Sequence, residues 1–172
     1  MARVAEAERV LGPDQGHNME LRGETEQARA KILFSNSDEK AGLRTLDHAL
    51  TLVRAARDTP PGNLAGALRT KGYLLSDDGR FDAADVALRE SLTIYRRMGG
   101  NNDLLTGKAW LGLALNDLAA GHLALAESRI NAALRIERKV LDPDNPVLAN
   151  AISTAGQIYQ AEHKPDAASK GP

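Results

Sequence analysis

Gly79-Arg80-Phe81-Asp82-Ala83-Ala84 lies between two apolar stretches of helical period, and the rest of the chain can be laid in register on it. A glycine turn followed by an aromatic and then small residues is the order expected where a helical hairpin reverses. Forty-two residues on, the chain reads Gly121-His122-Leu123-Ala124-Leu125-Ala126, with glycine, a large apolar residue and alanine on the same marks. A repeat of this length in helical sequence points to stacked hairpins, in which no single unit can bury its own apolar face.

Working outward from the turn, Pro60-Pro61-Gly62 breaks the chain. Asn63 is then placed to cap a helix that reaches Ser76 through Leu64, Leu68 and Leu75. After the turn a helix is expected from about Phe81 to Met98, carrying Val86, Leu88, Leu92, Ile94 and Tyr95 and ended by Gly99-Gly100-Asn101-Asn102. Asn102 or Asp103 can cap the next helix, whose Trp110, Leu111, Leu113, Leu115 and Leu118 make it the most apolar and the one expected to be most buried. Gly121 leads into a helix from about Leu123 to Leu141, stopped by Asp142-Pro143-Asp144-Asn145-Pro146. Asn145 as cap, with Pro146 in the first turn where a missing amide is harmless, opens a last helix to about Ala161.

Toward the N-terminus, Ser37 or Asp38 can cap a helix to about Arg57, with Leu43, Leu46, Ala49, Leu50 and Val53 at spacings of three and four. Met19 to Phe34 reads as a helix with sparser apolar marks, and Ala2 to Leu11 as a short one ended by Gly12-Pro13-Asp14. No stretch shows the two-residue alternation and β-branched enrichment of strands, so the expected class is all-α. The expected division is a partial helix and loop over 1–18, a repeat array over 19–168 and a disordered tail over 169–172.

Composition bounds the work such a chain can do. Among 172 residues, 22 Lys and Arg balance 23 Asp and Glu, which gives no support for nonspecific nucleic-acid binding through phosphate neutralisation. Aromatic residues make up 3%, too few for base-stacking platforms. With no cysteine there are no disulfides and no Cys-based zinc sites. The N-terminus is charged where a signal peptide would be apolar, and no window approaches the length of a membrane span. A cytoplasmic protein that does not enter a membrane is the expectation.

The repeated marks resemble the tetratricopeptide repeat, specifically the longer form found in kinesin light chains and in many bacterial scaffold and regulatory proteins. One unit supplies Leu68, Gly72, Leu75, Gly79, Phe81, Ala84, Leu88 and Leu92. The next supplies Trp110, Leu113, Ala114, Gly121, Leu123, Ala126, Ile130, Ala133 and Leu134. Leu141 to Pro146 is similar to the Leu-Gly-Pro-Asp-His-Pro connection of the long repeat, with Asp142 and Asn145 as departures. The outer units diverge: Ser37 and Glu39 stand where a glycine and an aromatic belong in one, and His163 and Pro165 in the other. Val10 to Asp14 is similar to the tail of a still earlier unit. The resemblance covers roughly residues 20 to 168 and implies an α-solenoid, a right-handed superhelix of about three to four stacked antiparallel hairpins.

It also implies a concave side lined by the first helix of each hairpin. The groove positions carried over from the family are Glu24, Gln27, Lys31 and Phe34; Arg69, Tyr73 and Ser76; Lys108, Leu111, Leu115 and Leu118; and Asn150, Ser153, Gln157 and Gln160. Leu111, Leu115 and Leu118 would anchor a peptide or partner helix, while Lys31, Arg69 and Lys108 would meet acidic groups. The competing reading of the leucine stripe is packing on a neighbouring helix or on the chain's own tail. The carboxylate clamp of some tetratricopeptide proteins is not expected, because its paired asparagines are missing.

No other constellation suggests chemistry. His17, His48, His122 and His163 form no ligand pair, and the aspartates at 77–78 and 142–144 read as turn and capping residues. Runs such as Arg54 to Arg57, Tyr95 to Arg97 and Arg135 to Lys139 read as solvated faces. There is no Gly-rich phosphate loop, nucleophile elbow or catalytic carboxylate pair, so neither cofactor nor metal is expected. The expected function is a non-catalytic scaffold or adaptor binding a protein or peptide segment. The alternatives are a peptide-sensing segment of a larger bacterial regulator and, in another class, an enzyme with a groove active site. Apolar surface around Ile152, Ile158 and Tyr159 is expected to lack a lid and to be covered by self-association or by a longer protein.

Overall fold

The computed structural model describes residues 26–30, 32–33, 38–55 and 60–163. The helix expected over Ala2 to Leu11, the end of the helix toward Arg57 and the tail over 169–172 lie outside these residues. Helical backbone over 26–30 and 32–33 is followed by α1 (Glu39–Ala55), α2 (Pro61–Asp77), α3 (Phe81–Gly99), α4 (Leu104–Ala119), α5 (Leu123–Val140) and α6 (Pro146–Glu162). Among the described residues there is no strand.

Short polar side chains start three of these six helices. Asp38 accepts from the Ala41 N–H at 3.1 Å, Asp103 from Leu105 at 2.8 Å and Asn145 from Val147 at 2.9 Å, each taking up an amide that the first turn leaves without a partner. The cap expected at Asn63 is a correction. Pro60 occupies the cap position, Pro61 opens α2, and the Asn63 N–H already donates to the Pro60 carbonyl at 2.9 Å. The paired prolines therefore start the helix, because their fixed φ suits its first turn and the amides they lack have no partner there.

The turn at Gly79 closes the α2–α3 hairpin with a pair of bonds characteristic of a left-handed helix end. Gly79 has φ +73°, its N–H donates to Ser76, and the Arg80 N–H reaches back to Leu75 at 2.8 Å. The α4–α5 turn repeats this: Gly121 has φ +77°, its N–H donates to Leu118, and His122 reaches Asp117 at 2.8 Å. The two hairpins thus share one turn geometry forty-two residues apart.

Each helix packs on the next, and in addition α2 touches α4 and α4 touches α6, whereas the backbones of α3 and α5 stay apart. The first helices of successive hairpins are therefore the closer set. They line the inner side of the curve of an α-solenoid. Packing follows the register. Gly72 of α2 faces Leu88 of α3, and a methyl group on Gly72 would lie 2.7 Å from Leu88 Cδ2 and closer still to Cγ. One period on, Ala114 and Ile130 are buried together in a cluster with Leu111, Ala126, Ala133, Leu134, Leu148, Ala151 and Ile158.

Polar contacts fix one hairpin on the next. Ser91 donates to the Ala65 carbonyl at 2.7 Å within the α2–α3 pair, and the Asn116 amide donates to the Phe81 carbonyl at 3.0 Å across the seam. Arg129 on α5, 7% exposed, reaches both Asp85 on α3 at 2.8 Å and Asp117 on α4 at 2.9 Å. Asp117 stands at the mark that Leu75 fills one period earlier, so here a buried ion pair takes the place of an apolar contact. Burial pushes the Asp117 carboxyl up from its ordinary value, and Arg129 opposes that. At Asp85 burial acts in the same upward sense, but hydrogen bonds from Arg89 and Arg129 outweigh it and hold the group low.

Removing one partner of a buried pair leaves an uncompensated charge. Arg129→Met should therefore cost about 3–5 kcal/mol in chemical denaturation. The double variant Arg129→Met/Asp117→Leu should recover most of that loss.

Candidate functional site

Of the residues expected from sequence to line a groove, Tyr73 and Lys108 meet between the first helices α2 and α4. Tyr73 on α2 crosses to α4, where its hydroxyl lies 3.5 Å from the Lys108 carbonyl. Gly112 makes the space: a Cβ there would stand 3.0 Å from Tyr73 Cε1 and 3.0 Å from Leu88 Cδ2. Arg69, one turn before Tyr73, places its guanidinium 5.9 Å from the ring centre of Tyr95 on α3, within cation–π range. One of its nitrogens, Nη1, is buried and has no hydrogen-bond partner.

Glu137 of α5 completes the cluster. It is fully buried, and neither carboxyl oxygen has a hydrogen-bond partner. Gly107 on α4 lets it in, since a Cβ at 107 would come within 3.3 Å of Glu137 Cγ. Burial raises the Glu137 carboxyl to about 7, with the positive charge of Lys108 pulling the other way. The Tyr73 phenol is also raised by burial, against the pull of Arg69 and with the help of Tyr95 and Glu137. Arg69 and Glu137 thus act on the Tyr73 phenol and Lys108 acts on Glu137, and both Arg69 and Glu137 hold unmade hydrogen bonds.

The leucine stripe divides. Leu111 is 4% exposed and belongs to the core shared with Ile130 and Leu148, so its expected role as an exposed anchor is corrected. The alternative reading, packing on neighbouring helices, describes it. Leu115 and Leu118 are half-buried against the same cluster and keep part of their surface open. Asn150, Ser153, Gln157 and Gln160 are exposed along α6, Ser76 and Gln27 are half-buried, and Glu24, Lys31 and Phe34 lie outside the described residues.

Glu137 escaped the sequence reading because it sits within Arg135-Ile136-Glu137-Arg138-Lys139, a run that reads as a solvated face. Its spacing carried the opposite signal. Ala126, Ile130, Ala133 and Glu137 follow one another at intervals of four, three and four on the buried side of α5.

Other polar clusters are largely satisfied. A cleft of about 360 Å³ between α1, α2 and α3 carries the exposed pairs Lys71–Asp47 at 2.6 Å and Arg54–Glu90 at 3.1 Å. A second of about 360 Å³ holds Asp85 and Asp117, which Arg129 takes up. Among the described residues no group of three or more acids and histidines could hold a metal ion, and no helix is long and apolar enough to cross a membrane. His48 and His122 are exposed, and the His163 ring stacks on Tyr159 at 4.0 Å between centres.

The shared turn geometry, the inner row of first helices and the small residues at the helix contacts define the class as an all-α solenoid of tetratricopeptide-like hairpins. The crystal structure of BtubC (BKLC) from P. vanneervenii has a similar fold, with a TM-score of 0.50 over 92% of this chain and 80% of that one. The two sequences are 16% identical, so the likeness concerns the fold alone. No protein-family model and no curated protein matches the sequence.

Glu137 makes stability depend on pH. Its folded value of about 7 stands above the ordinary 4.5, so between these the native state holds a proton that the unfolded chain releases. The contribution of Glu137 is most favourable at the acid end of that interval, declines as pH rises through it and is flat above. Denaturant titrations from pH 5 to pH 8 should show the wild type losing stability relative to Glu137→Gln, with the difference levelling off once pH passes about 7.

Proposed function

We propose that this chain is a non-catalytic interaction scaffold that holds a protein or peptide segment across the face formed by its first helices. The observation that carries this reading is the cluster of Arg69, Tyr73, Lys108 and Glu137, in which buried atoms of opposite charge lack hydrogen-bond partners. A buried donor or acceptor without a partner costs about 1–3 kcal/mol, and a ligand that supplies the partner recovers it. Arg69 and Lys108 suit a carboxylate or carbonyl of the bound segment, and Glu137 suits an amide or cationic group once the segment displaces what covers it. Leu115 and Leu118 add apolar contact, and Asn150 and Gln157 extend the surface with neutral hydrogen-bonding groups.

A binding role also agrees with how the hydroxyls are used. Those of Tyr73, Ser91, Thr106 and Thr154 point to backbone carbonyls instead of to a base that could activate them. The tetratricopeptide-like fold is in keeping with protein partners. Segments that this chain binds should be sought among peptides, with no requirement for nucleic acid or membrane.

An immobilised array of random peptides tests the assignment. The wild-type chain should retain a subset that Arg69→Ala and Tyr73→Ala each bind about tenfold more weakly, while Arg89→Ala on the outer side binds as the wild type does. Circular dichroism confirms that the variants are folded. Binding indifferent to Arg69 and Tyr73, or no binding at all, would remove the proposal.

A further inference from the structure

Among the described residues, α6 is a first helix with no second helix packed on it. Leu68, Gly72 and Leu75 of α2 are buried beneath α3, and Trp110, Ala114 and Asp117 of α4 occupy the same marks beneath α5. On α6 these marks fall on Ile152, Gly156 and Tyr159. Ile152 is 47% exposed, Tyr159 is 62% exposed, and a Cβ on Gly156 would meet nothing within 4 Å. The contrast with Gly72, where Leu88 fills the notch, is direct. Ile158, expected on this open surface, is 1% exposed and faces the core instead.

The vacant stripe has a pattern that fits itself. Ala149, Ile152, Gly156 and Tyr159 follow at intervals of three, four and three along one side of α6, all exposed, and they alternate small and large. Two such stripes set antiparallel about a two-fold axis can bring Ile152 onto Gly156 of the second copy. The same stagger brings Tyr159 onto Ala149, and both contacts are made twice. Large side chains then face small ones throughout, which is the arrangement that lets helices interdigitate. Each Ile152 repeats against Gly156 what Leu88 does against Gly72. Charge does not oppose the pairing, because Glu162 is the one ionisable acid or base in α6, at its very end, and the flanks carry Asn150, Ser153, Gln157 and Gln160.

We propose that α6 is a self-association surface through which two copies of this chain pair antiparallel, Ile152 of each seated on Gly156 of the other. The interface is isologous, so it closes at a dimer. It uses a side of α6 different from the one that packs on α5, and it goes beyond the peptide-binding reading without depending on it.

Sedimentation across a concentration series is the test, with two variants that leave the hairpins alone. Wild type should pass from monomer to dimer as concentration rises. Gly156→Leu fills a notch that is open within one copy, so it should keep the helix intact and weaken the dimer by about tenfold or more, and Ile152→Glu should do the same. Because the chain has no cysteine, register can be read separately. A mixture of Ile152→Cys and Gly156→Cys chains should form the mixed disulfide in preference to either self-disulfide. A monomer at every concentration would overturn the proposal. So would a dimer that tolerates both variants, or one that cross-links Ile152→Cys mainly to itself.

Discussion

The structure depends on how closely paired helices can approach, and that is set where a side chain is missing. Leu88 is fully buried because Gly72 on α2 and Gly112 on α4 both leave room for it, so a single leucine joins one hairpin internally and to the next. Gly112 also admits the Tyr73 ring between the two inner helices. A residue with a Cβ at either glycine would push the helices apart or force Leu88 from its rotamer. The core runs along the stack as successive clusters, with Leu46, Leu88, Leu113, Ile130 and Ile158 all close to fully buried. It is the stacking of hairpins, with no hairpin sufficient alone, that buries it.

Against this apolar frame, buried charge is handled in two opposite ways. At the outer seam Arg129 pairs with two carboxylates, and these ion pairs tie the hairpins together. Between α4 and α5 Glu137 is enclosed without a hydrogen-bond partner, and its carboxyl is driven to about 7 by burial. The first arrangement serves the fold. The second is costly for the fold, and natural structures seldom leave both oxygens of a buried acid unpaired without a use for them.

Sequence revealed most clearly what the backbone demands. Gly79 and Gly121 are required by a left-handed turn, Asp103 and Asn145 by amides that need a partner, and Gly72 and Ala114 by contact distance, so each could be placed from residue type and spacing. Arg69, Tyr73 and Lys108 were legible as a group because the repeat register assigns them to one side. What stayed hidden depends on which neighbour a side chain meets. Leu111 and Leu115 look alike in sequence, yet the first is covered by α5 and α6 while the second is only partly so. Val86 belongs to an apolar series in α3 but is 68% exposed. Glu137 is flanked by basic residues in the chain, yet its side chain is fully buried. Periodicity distinguishes the faces of one helix, and it says little about how much of each face the adjacent helices cover.

Leu88 seated over Gly72 sets the helix spacing, and a double-mutant cycle measures that contact directly. Unfolding free energies of the wild type, Gly72→Ala, Leu88→Ala and the double variant are sufficient. Gly72→Ala should destabilise the wild type by about 1–3 kcal/mol through overlap with Leu88. The same change should be neutral or stabilising once Leu88 is alanine, because the overlap is gone and alanine favours the helix. That corresponds to a coupling of about 1 kcal/mol or more. Effects that simply add would mean that Leu88 does not set the spacing at Gly72.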